Sequence, residues 1–269
     1  MQKVFDLTNK YIILIPILLL YSIFSGVFIT VSVSGKFLNL IFAILLFGLM
    51  TSAFTAGWLN IIKNIILEKC ENTDFMGLFP EGVGEYFLPV LGALINIIFI
   101  FVLNLFFAGI IGINFIGNPE VSPEALSKAM VSTESLKQFV ASLTPEQIIK
   151  INLWDFLILG FMGLSYLLTF LYIPALFFTT KNPYKAYIIS IKNLFSKSFF
   201  KTLGLFLAIV LIHIVISIST AIMGGNSIFN FIITFINFYI VTVISIGIFY
   251  YYNVEFVKSK LGQNIDITL

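Results

Sequence analysis

Long apolar stretches without charge alternate along this chain with short polar segments. No Asp, Glu, Lys or Arg occurs in residues 11–35, 37–62, 86–119, 156–180 or 202–254. A helix of about 20 apolar residues crosses the hydrocarbon core of a bilayer, which is about 30 Å thick. The last stretch is long enough for two such helices, and its Gly-Gly-Asn-Ser sequence at 224–227 provides a turn between them.

This pattern predicts an all-α, polytopic transmembrane bundle of six helices, forming a single membrane domain over residues 1–269. The spans are expected near residues 11–33, 37–62, 87–116, 153–180, 202–223 and 228–256. The first apolar run exceeds the roughly 7–15 residues of a signal-peptide core, so we expect it to remain in place as a span. In the second span, Gly48, Ser52 and Ala56 recur every four positions and predict a close-packing seam.

The lysines predict the orientation of the bundle. Eleven of the fifteen lysines lie in the N-terminal segment, in the segments that follow the second and fourth predicted spans, or in the C-terminal segment. Because cytoplasmic loops collect basic residues, both termini are expected in the cytoplasm and the protein in the cell membrane. Tyr250, Tyr251 and Tyr252 precede the last lysines and suit an aromatic belt at the membrane interface.

Composition narrows the classes of function. Hydrophobic residues make up 59% of the chain and charged residues 10%, whereas soluble domains carry about 25% charged residues. A water-soluble protein is therefore excluded. The net charge of +2, with no basic patch in a soluble segment, argues against a nucleic-acid partner.

The external loop, residues 117–152, contains two helix-start signals. Ser122-Pro123-Glu124 reads as an N-cap, a first-position proline and a first-turn acid, and Thr144 with Gln147 forms a capping-box pattern. Two or three short helices are expected across the outer mouth of the bundle. They would form either a lid or partner-binding cap, or a packed connector.

The inner linkers, residues 63–85 and 181–201, both have an amphipathic pattern. In the second linker, Lys181, Lys185 and Lys192 lie within about 40° of one another on a helical wheel, opposite Tyr184, Tyr187, Ile191, Leu194 and Phe195. This predicts an interfacial helix that directs lysines toward anionic lipid headgroups, with a protein partner as the alternative. The candidate headgroup contacts are Lys181, Lys185, Lys192, Lys197 and Lys201.

Polar residues within the spans are candidates for a hydrated path, because polar groups are costly in a bilayer. Asn96 and Asn114 share one face of the third span, and His213 heads a polar stripe in the fifth. The alternative is interhelical hydrogen bonding, worth about 0.6 kcal/mol per bond in lipid. The candidate residues are Asn96, Asn104, Asn114, His213, Ser217, Thr220, Asn230 and Asn237.

The sequence contains no recognisable set of catalytic residues and predicts no cofactor. Its one cysteine, Cys70, and one histidine, His213, are too few for a zinc site. The segment Glu81-Gly82-Val83-Gly84-Glu85 lacks the lysine of a phosphate-binding loop, and we expect it to be a turn before the third span, with weak cation binding as the alternative.

The second half of the chain resembles a broad group of prokaryotic membrane proteins. Leu-Tyr-Ile-Pro at 171–174, Asn-Pro-Tyr-Lys-Ala at 182–186 and Ser190 carry the resemblance, which extends over residues 160–256. The group includes the YciC-like proteins and the membrane domain attached to some glycerophosphodiester phosphodiesterases. The resemblance implies a six-helix membrane fold with an interfacial Asn-Pro segment. The soluble phosphodiesterase domain has no counterpart here, so its activity does not carry over.

Three hypotheses about function follow. The first is a non-enzymatic membrane protein that handles a lipid or another amphiphile, or supports envelope homeostasis, with membrane lipids as its partners. The second is the permease subunit of an ABC-type exporter or peptide-immunity system, in which an inner linker contacts a cytoplasmic ATPase or other membrane subunits. The third, an intramembrane enzyme, requires a carboxylate or a second histidine near His213 in space.

Overall fold

The computed structural model describes residues 2–33, 37–69, 75–118, 120–129, 131–223 and 227–259. Within these residues the chain is helical and forms no strand. The helices are α1 (Gln2–Lys10), α2 (Leu14–Val33), α3 (Phe37–Ile66), α4 (Phe75–Phe115), α5 (Pro123–Ala129), α6 (Thr133–Ser142), α7 (Pro145–Thr169), α8 (Tyr172–Phe178), α9 (Pro183–Leu194), α10 (Phe199–Met223) and α11 (Ser227–Tyr252). A π-helical segment, Asn253–Lys258, follows α11.

Five segments of the described chain are long and apolar enough to cross a membrane. A sixth is the pair α1 and α2, if this pair, bent by 71°, counts as one span. Apolar side chains are exposed along these helices, as expected where lipid rather than water is the solvent. The prediction of an all-α polytopic bundle is confirmed, and the chain is a multi-pass membrane protein.

Two helix breaks have the same local cause. The chain breaks at residues 11–13, between α1 and α2, and at residues 170–171, between α7 and α8. Each break includes the residue four positions before a proline, Pro16 or Pro174. Proline lacks the N–H that would bond to that carbonyl, and its ring clashes with the same carbonyl group. The indole of Trp58 donates a 3.3 Å hydrogen bond to the Leu14 carbonyl, close to the first break.

The third predicted span begins earlier than expected. Residues 75–85 are helical and belong to α4, which contains Pro80 and Pro89. The predicted turn at 81–85 is therefore wrong, because this segment is part of a continuous helix. Gly82 in this segment lets α4 pack closely against α3, because a Cβ at Gly82 would lie 2.4 Å from the Cβ of Asn60 on α3.

Residues 117–152, predicted to form the external loop, contain the short helices α5 and α6, and the second of the two predicted helix starts opens α7. The capping box at this start is confirmed: the backbone N–H of Thr144 donates to Oε1 of Gln147 at 3.0 Å, and the N–H of Gln147 donates to Oγ1 of Thr144 at 3.3 Å. A capping box pairs two amide groups that the helix itself cannot satisfy.

The chain divides into two compact units. Unit 1 comprises Met1–Asn96 with Leu168–Leu269, and unit 2 comprises Ile97–Leu167. The organisation as a single membrane domain stays a prediction. Unit 1 contains three tyrosines that are almost completely buried, Tyr86, Tyr172 and Tyr252. In unit 2, the indole of Trp154 donates a 2.9 Å hydrogen bond to the Gly117 carbonyl.

Candidate functional site

Helix α9 corresponds to the predicted interfacial helix, and its start is fixed locally. Oδ1 of Asn182 accepts a 3.0 Å hydrogen bond from the backbone N–H of Lys185, and Pro183 occupies the first helical position. An asparagine cap satisfies an amide that the helix leaves open, and proline at this position loses no bond. The Asn-Pro sequence therefore determines where α9 begins.

One face of α9 is packed into unit 1. Ala186, Ser190, Asn193 and Leu194 are buried. Asn193 donates a 3.0 Å hydrogen bond to the Tyr252 hydroxyl, which also lies 3.0 Å from Oγ1 of Thr179. These contacts hold α9 against the C-terminal end of α11 and the residue that follows α8.

The opposite side of α9 is divided into two strips. Tyr184, Ile188 and Phe195 are 70%, 54% and 63% exposed and lie within about 40° on a helical wheel. Lys185 and Lys192 are exposed on a second strip, centred about 70° from the first. The surface of α9 thus has a protein-facing sector, an apolar sector and a cationic sector.

The predicted apolar face of α9 needs a correction. Leu194 is buried in the protein rather than exposed with Tyr184 and Phe195. Tyr187 is half-buried, with its ring in edge contact with Tyr172 at 5.4 Å, and burial raises the pKa of its phenol. The reason is that α9 has a protein neighbour, so its apolar residues divide between the protein and the surface.

The five predicted headgroup lysines fall into two groups. Lys181 precedes α9 and pairs with Glu85 at 3.0 Å, while Lys201 lies in α10, 3.7 Å from Glu255. Lys185, Lys192 and Lys197 are exposed and take part in no ion pair within the described residues. Of the five predicted headgroup lysines, Lys185, Lys192 and Lys197 are therefore the ones best able to bind an anion from outside the protein.

A second polar feature, the Tyr86 cluster, consists of Lys63, Glu85, Tyr86, Phe177 and Lys181. The Lys63 ammonium donates a 2.6 Å hydrogen bond to the Tyr86 hydroxyl. The Tyr86 ring stacks on Phe177 with centroids 4.2 Å apart, and Lys181 Nζ lies 5.6 Å from the ring centroid. This cluster joins α3, α4, α8 and the start of the α9 segment, and its ionisable groups are engaged with one another.

Sequence reasoning missed Lys63 and Tyr86 as parts of a site. The available signal was their position: Lys63 ends one uncharged stretch and Tyr86 begins the next. Tyr252 was also misassigned, because the structure buries it completely instead of placing it in an interfacial belt. Its neighbour Tyr251 lies 2.8 Å from Oγ1 of Thr202, hydroxyl to hydroxyl.

Two of the candidate path asparagines form hydrogen bonds between helices. In unit 1, Asn96 donates to the Tyr172 hydroxyl at 2.9 Å. In unit 2, Asn104 donates to the Ser165 hydroxyl at 2.7 Å, whereas Asn114 is exposed and donates to the Ile110 carbonyl of its own helix. Asn96 and Asn104 thus have the partners expected from the interhelical alternative.

The remaining candidate path residues lie on α10 and α11. Nδ1 of His213 lies 2.9 Å from the Ile209 carbonyl, and the Thr220 hydroxyl donates to the Ile216 carbonyl, both within α10. Ser217 and Asn237 are exposed, and the side chain of Asn230 lies outside the described part of the chain. Among the described side chains, no hydrogen bond joins two candidate path residues, so the path itself stays a prediction.

Comparisons of this chain with protein-family models, with curated proteins and with solved structures found no match. The resemblance to the YciC-like proteins therefore stays a prediction. The fold shows the class to which the chain belongs, which is that of multi-pass membrane proteins. It has five apolar helices of spanning length among the described residues, or six if the bent pair α1 and α2 counts as one span.

Proposed function

We propose that this protein is a non-enzymatic integral membrane protein that binds and handles anionic lipids through α9 at its inner membrane surface. The observation that carries the proposal is the division of α9 into three sectors. One sector is fixed to the protein by Asn193, one exposes Tyr184, Ile188 and Phe195, and one exposes Lys185.

The apolar sector supports a position at the bilayer boundary. An interfacial helix buries its apolar side chains about 5–10 Å into the headgroup and acyl-chain boundary. Tyr184, Ile188 and Phe195 are large and uncovered by the protein, and acyl chains would remove them from water. Because the opposite side of α9 is held by the protein, the helix would not have to fold on binding.

The cationic sector supports selectivity for anionic lipids. Each lysine near a negatively charged membrane surface contributes about 1 kcal/mol. Lys185, Lys192 and Lys197 have no protein carboxylate as a competing partner in the described chain. Lysine binds a phosphate as a point charge, which suits a mobile headgroup at a surface.

The test is lipid selectivity of the full-length protein. The protein is equilibrated with phosphatidylglycerol and phosphatidylcholine in equal amounts, and the retained lipids are counted by native mass spectrometry. The variant K185Q/K192Q should lower the preference for phosphatidylglycerol by roughly 30-fold, because two lysines at about 1 kcal/mol each contribute about 2 kcal/mol. The matched control K128Q/K137Q removes two exposed lysines of the external loop and should retain the preference.

An unchanged preference in K185Q/K192Q, or an equal fall in the control, would contradict the proposal. Co-purification separates the permease hypothesis from it. A cytoplasmic ATPase that is recovered with the native protein and lost in K185Q/K192Q, with lipid preference intact, would favour the ABC-type permease instead.

A further inference from the structure

An apolar groove lies between α2, α3 and the start of α4 in unit 1. Its volume is about 390 Å³, within the range of about 300–1,000 Å³ that is usual for ligand sites. Helix α2 contributes Ile17, Tyr21 and Phe24, α3 contributes Ala53 and Phe54, and α4 contributes Phe79. The groove belongs neither to the α9 surface nor to the Tyr86 cluster.

Aromatic packing shapes the groove wall. The rings of Tyr21 and Phe54 stack at 4.0 Å, and the Phe54 and Phe79 centroids are 6.1 Å apart. Phe79 approaches α3 at Gly57, where a Cβ would lie 2.8 Å from its ring atoms. The Tyr21 hydroxyl is 2.7 Å from Oγ1 of Thr51 and is therefore already satisfied. The wall thus suits a ligand segment without polar groups.

The groove opens toward the membrane. Leu20 and Phe24, which line it, are 55% and 68% exposed. Both lie on an apolar helix that, together with α1, can form a span. In a bilayer the medium in contact with such side chains is lipid hydrocarbon. An acyl chain is therefore the occupant available at this opening.

A cation lies beyond one end of the groove. Phe75 lies one helical turn before Phe79 in α4, and its ring is in edge contact with Tyr11 at 5.9 Å. Lys10 Nζ lies 5.1 Å from the centroid of Tyr11. Lys10 is exposed, and no ion pair involves it in the described residues. The bend between α1 and α2 thus places an ammonium group beyond the end of the groove that Phe79 lines.

We propose that this groove binds one acyl chain of an anionic phospholipid whose phosphate faces Lys10. The proposal shares with the proposed function the premise that the protein binds anionic lipid, and it adds a defined position for one lipid molecule. The groove holds the chain by burial of apolar surface, and Lys10 selects the headgroup charge.

The test uses phosphatidylglycerol with a diazirine in its acyl chain, added to the full-length protein in nanodiscs. After illumination, labelled residues are located by mass spectrometry. Labelling should concentrate on the peptides that contain Phe24 and Ala53. A53W fills the groove and should abolish this labelling, whereas the control G204W, on α10 where a Cβ meets nothing within 4 Å, should retain it.

A second variant keeps the test independent of folding. K10Q leaves the groove open and should reduce labelling by the phosphatidylglycerol probe but not by a phosphatidylcholine probe with the same chain. Labelling spread evenly over the exposed apolar residues of α10 and α11, and unchanged in A53W, would overturn the proposal.

The two proposals fail separately. If K185Q/K192Q keeps its lipid preference while A53W loses groove labelling, the α9 function fails and the groove stands. If groove labelling is insensitive to A53W while K185Q/K192Q loses lipid preference, the groove fails and the α9 function stands.

Discussion

Two regions of unit 1 differ in how far their side chains are buried. Where α8, α9 and the end of α11 meet, the buried side chains include Asn193 and Tyr252, which hydrogen-bond to each other. In residues 211–218 of α10 and 229–236 of α11, most large apolar residues are exposed instead, for example Leu211 at 62% and Phe231 at 68%. In lipid there is little hydrophobic drive to bring such helices together, so packing and hydrogen bonds decide which surfaces meet.

This difference in burial indicates where the stability of the protein should be sensitive to mutation. Replacements at hydrogen-bonded or close-packed helix contacts, in this region or elsewhere in the chain, should lower the free energy of unfolding. Replacements on the lipid-exposed faces should not, because the side chain contacts hydrocarbon in either case. The following predictions test this contrast, from the largest effect to the smallest, by unfolding the protein in detergent micelles.

The largest effect is expected at the contact between α3 and α4. Gly82→Leu would force a side chain against Asn60 and the Ala56 carbonyl, which would lie 2.4 and 2.8 Å from the new Cβ. Overpacking of this kind costs about 1–3 kcal/mol. Gly84→Leu, where a Cβ meets nothing within 4 Å, is the matched control. Equal losses of stability in the two variants would contradict the packing described here.

Loss of the Tyr252 hydroxyl should have the next largest effect. Tyr252→Phe leaves Asn193 and Thr179 without a partner that each now reaches at 3.0 Å. The expected loss in free energy of unfolding is about 1–2 kcal/mol. The control is Tyr250→Phe on the same helix, whose ring is half-buried. A stability of Tyr252→Phe equal to that of the control would argue against the anchoring of α9.

A smaller effect is expected for the hydrogen bond between α4 and α7 in unit 2. Asn104→Leu removes the 2.7 Å bond to Ser165 and should cost about 0.6 kcal/mol. Asn114→Leu removes only a bond to its own helix and should be nearly neutral. A larger loss of stability in Asn114→Leu than in Asn104→Leu would show that Asn114 has a partner outside its own helix. That result would support the hydrated path.

The smallest effect is expected on the exposed face of α10. Leu211→Val and Val215→Leu change apolar side chains that are each 62% exposed. Their free energies of unfolding should stay within about 0.5 kcal/mol of the native value. A clear loss at either position would indicate that this face packs against another protein surface rather than lipid.

The sequence predicted those features that have a local signal. Uncharged length located the spans, the amphipathic pattern of residues 181–201 indicated helix α9, and Thr144 with Gln147 indicated the start of α7. These signals depend on residues close together in the chain. They can therefore be recognised without knowledge of the tertiary contacts.

Features that depend on which helices pack together were not predictable. In a helix that is apolar all round, the pattern gives no sign of which face meets protein. The burial of Tyr252 within a run of three tyrosines and the role of Gly82 in a helix contact are of this kind. The division of the α9 apolar residues between protein and surface has the same origin.

The most direct test of the α9 account is a spin-label measurement of its three sectors. Single cysteines replace Ile188, Lys185 or Ser190 in a protein whose native cysteine, Cys70, is serine. In bilayers, the label at 188 should collide with oxygen, which concentrates in lipid, and the label at 185 with a water-soluble nickel complex. The label at 190 should be shielded from both. Equal access of the nickel complex to positions 188 and 185 would show that α9 does not lie at the membrane boundary.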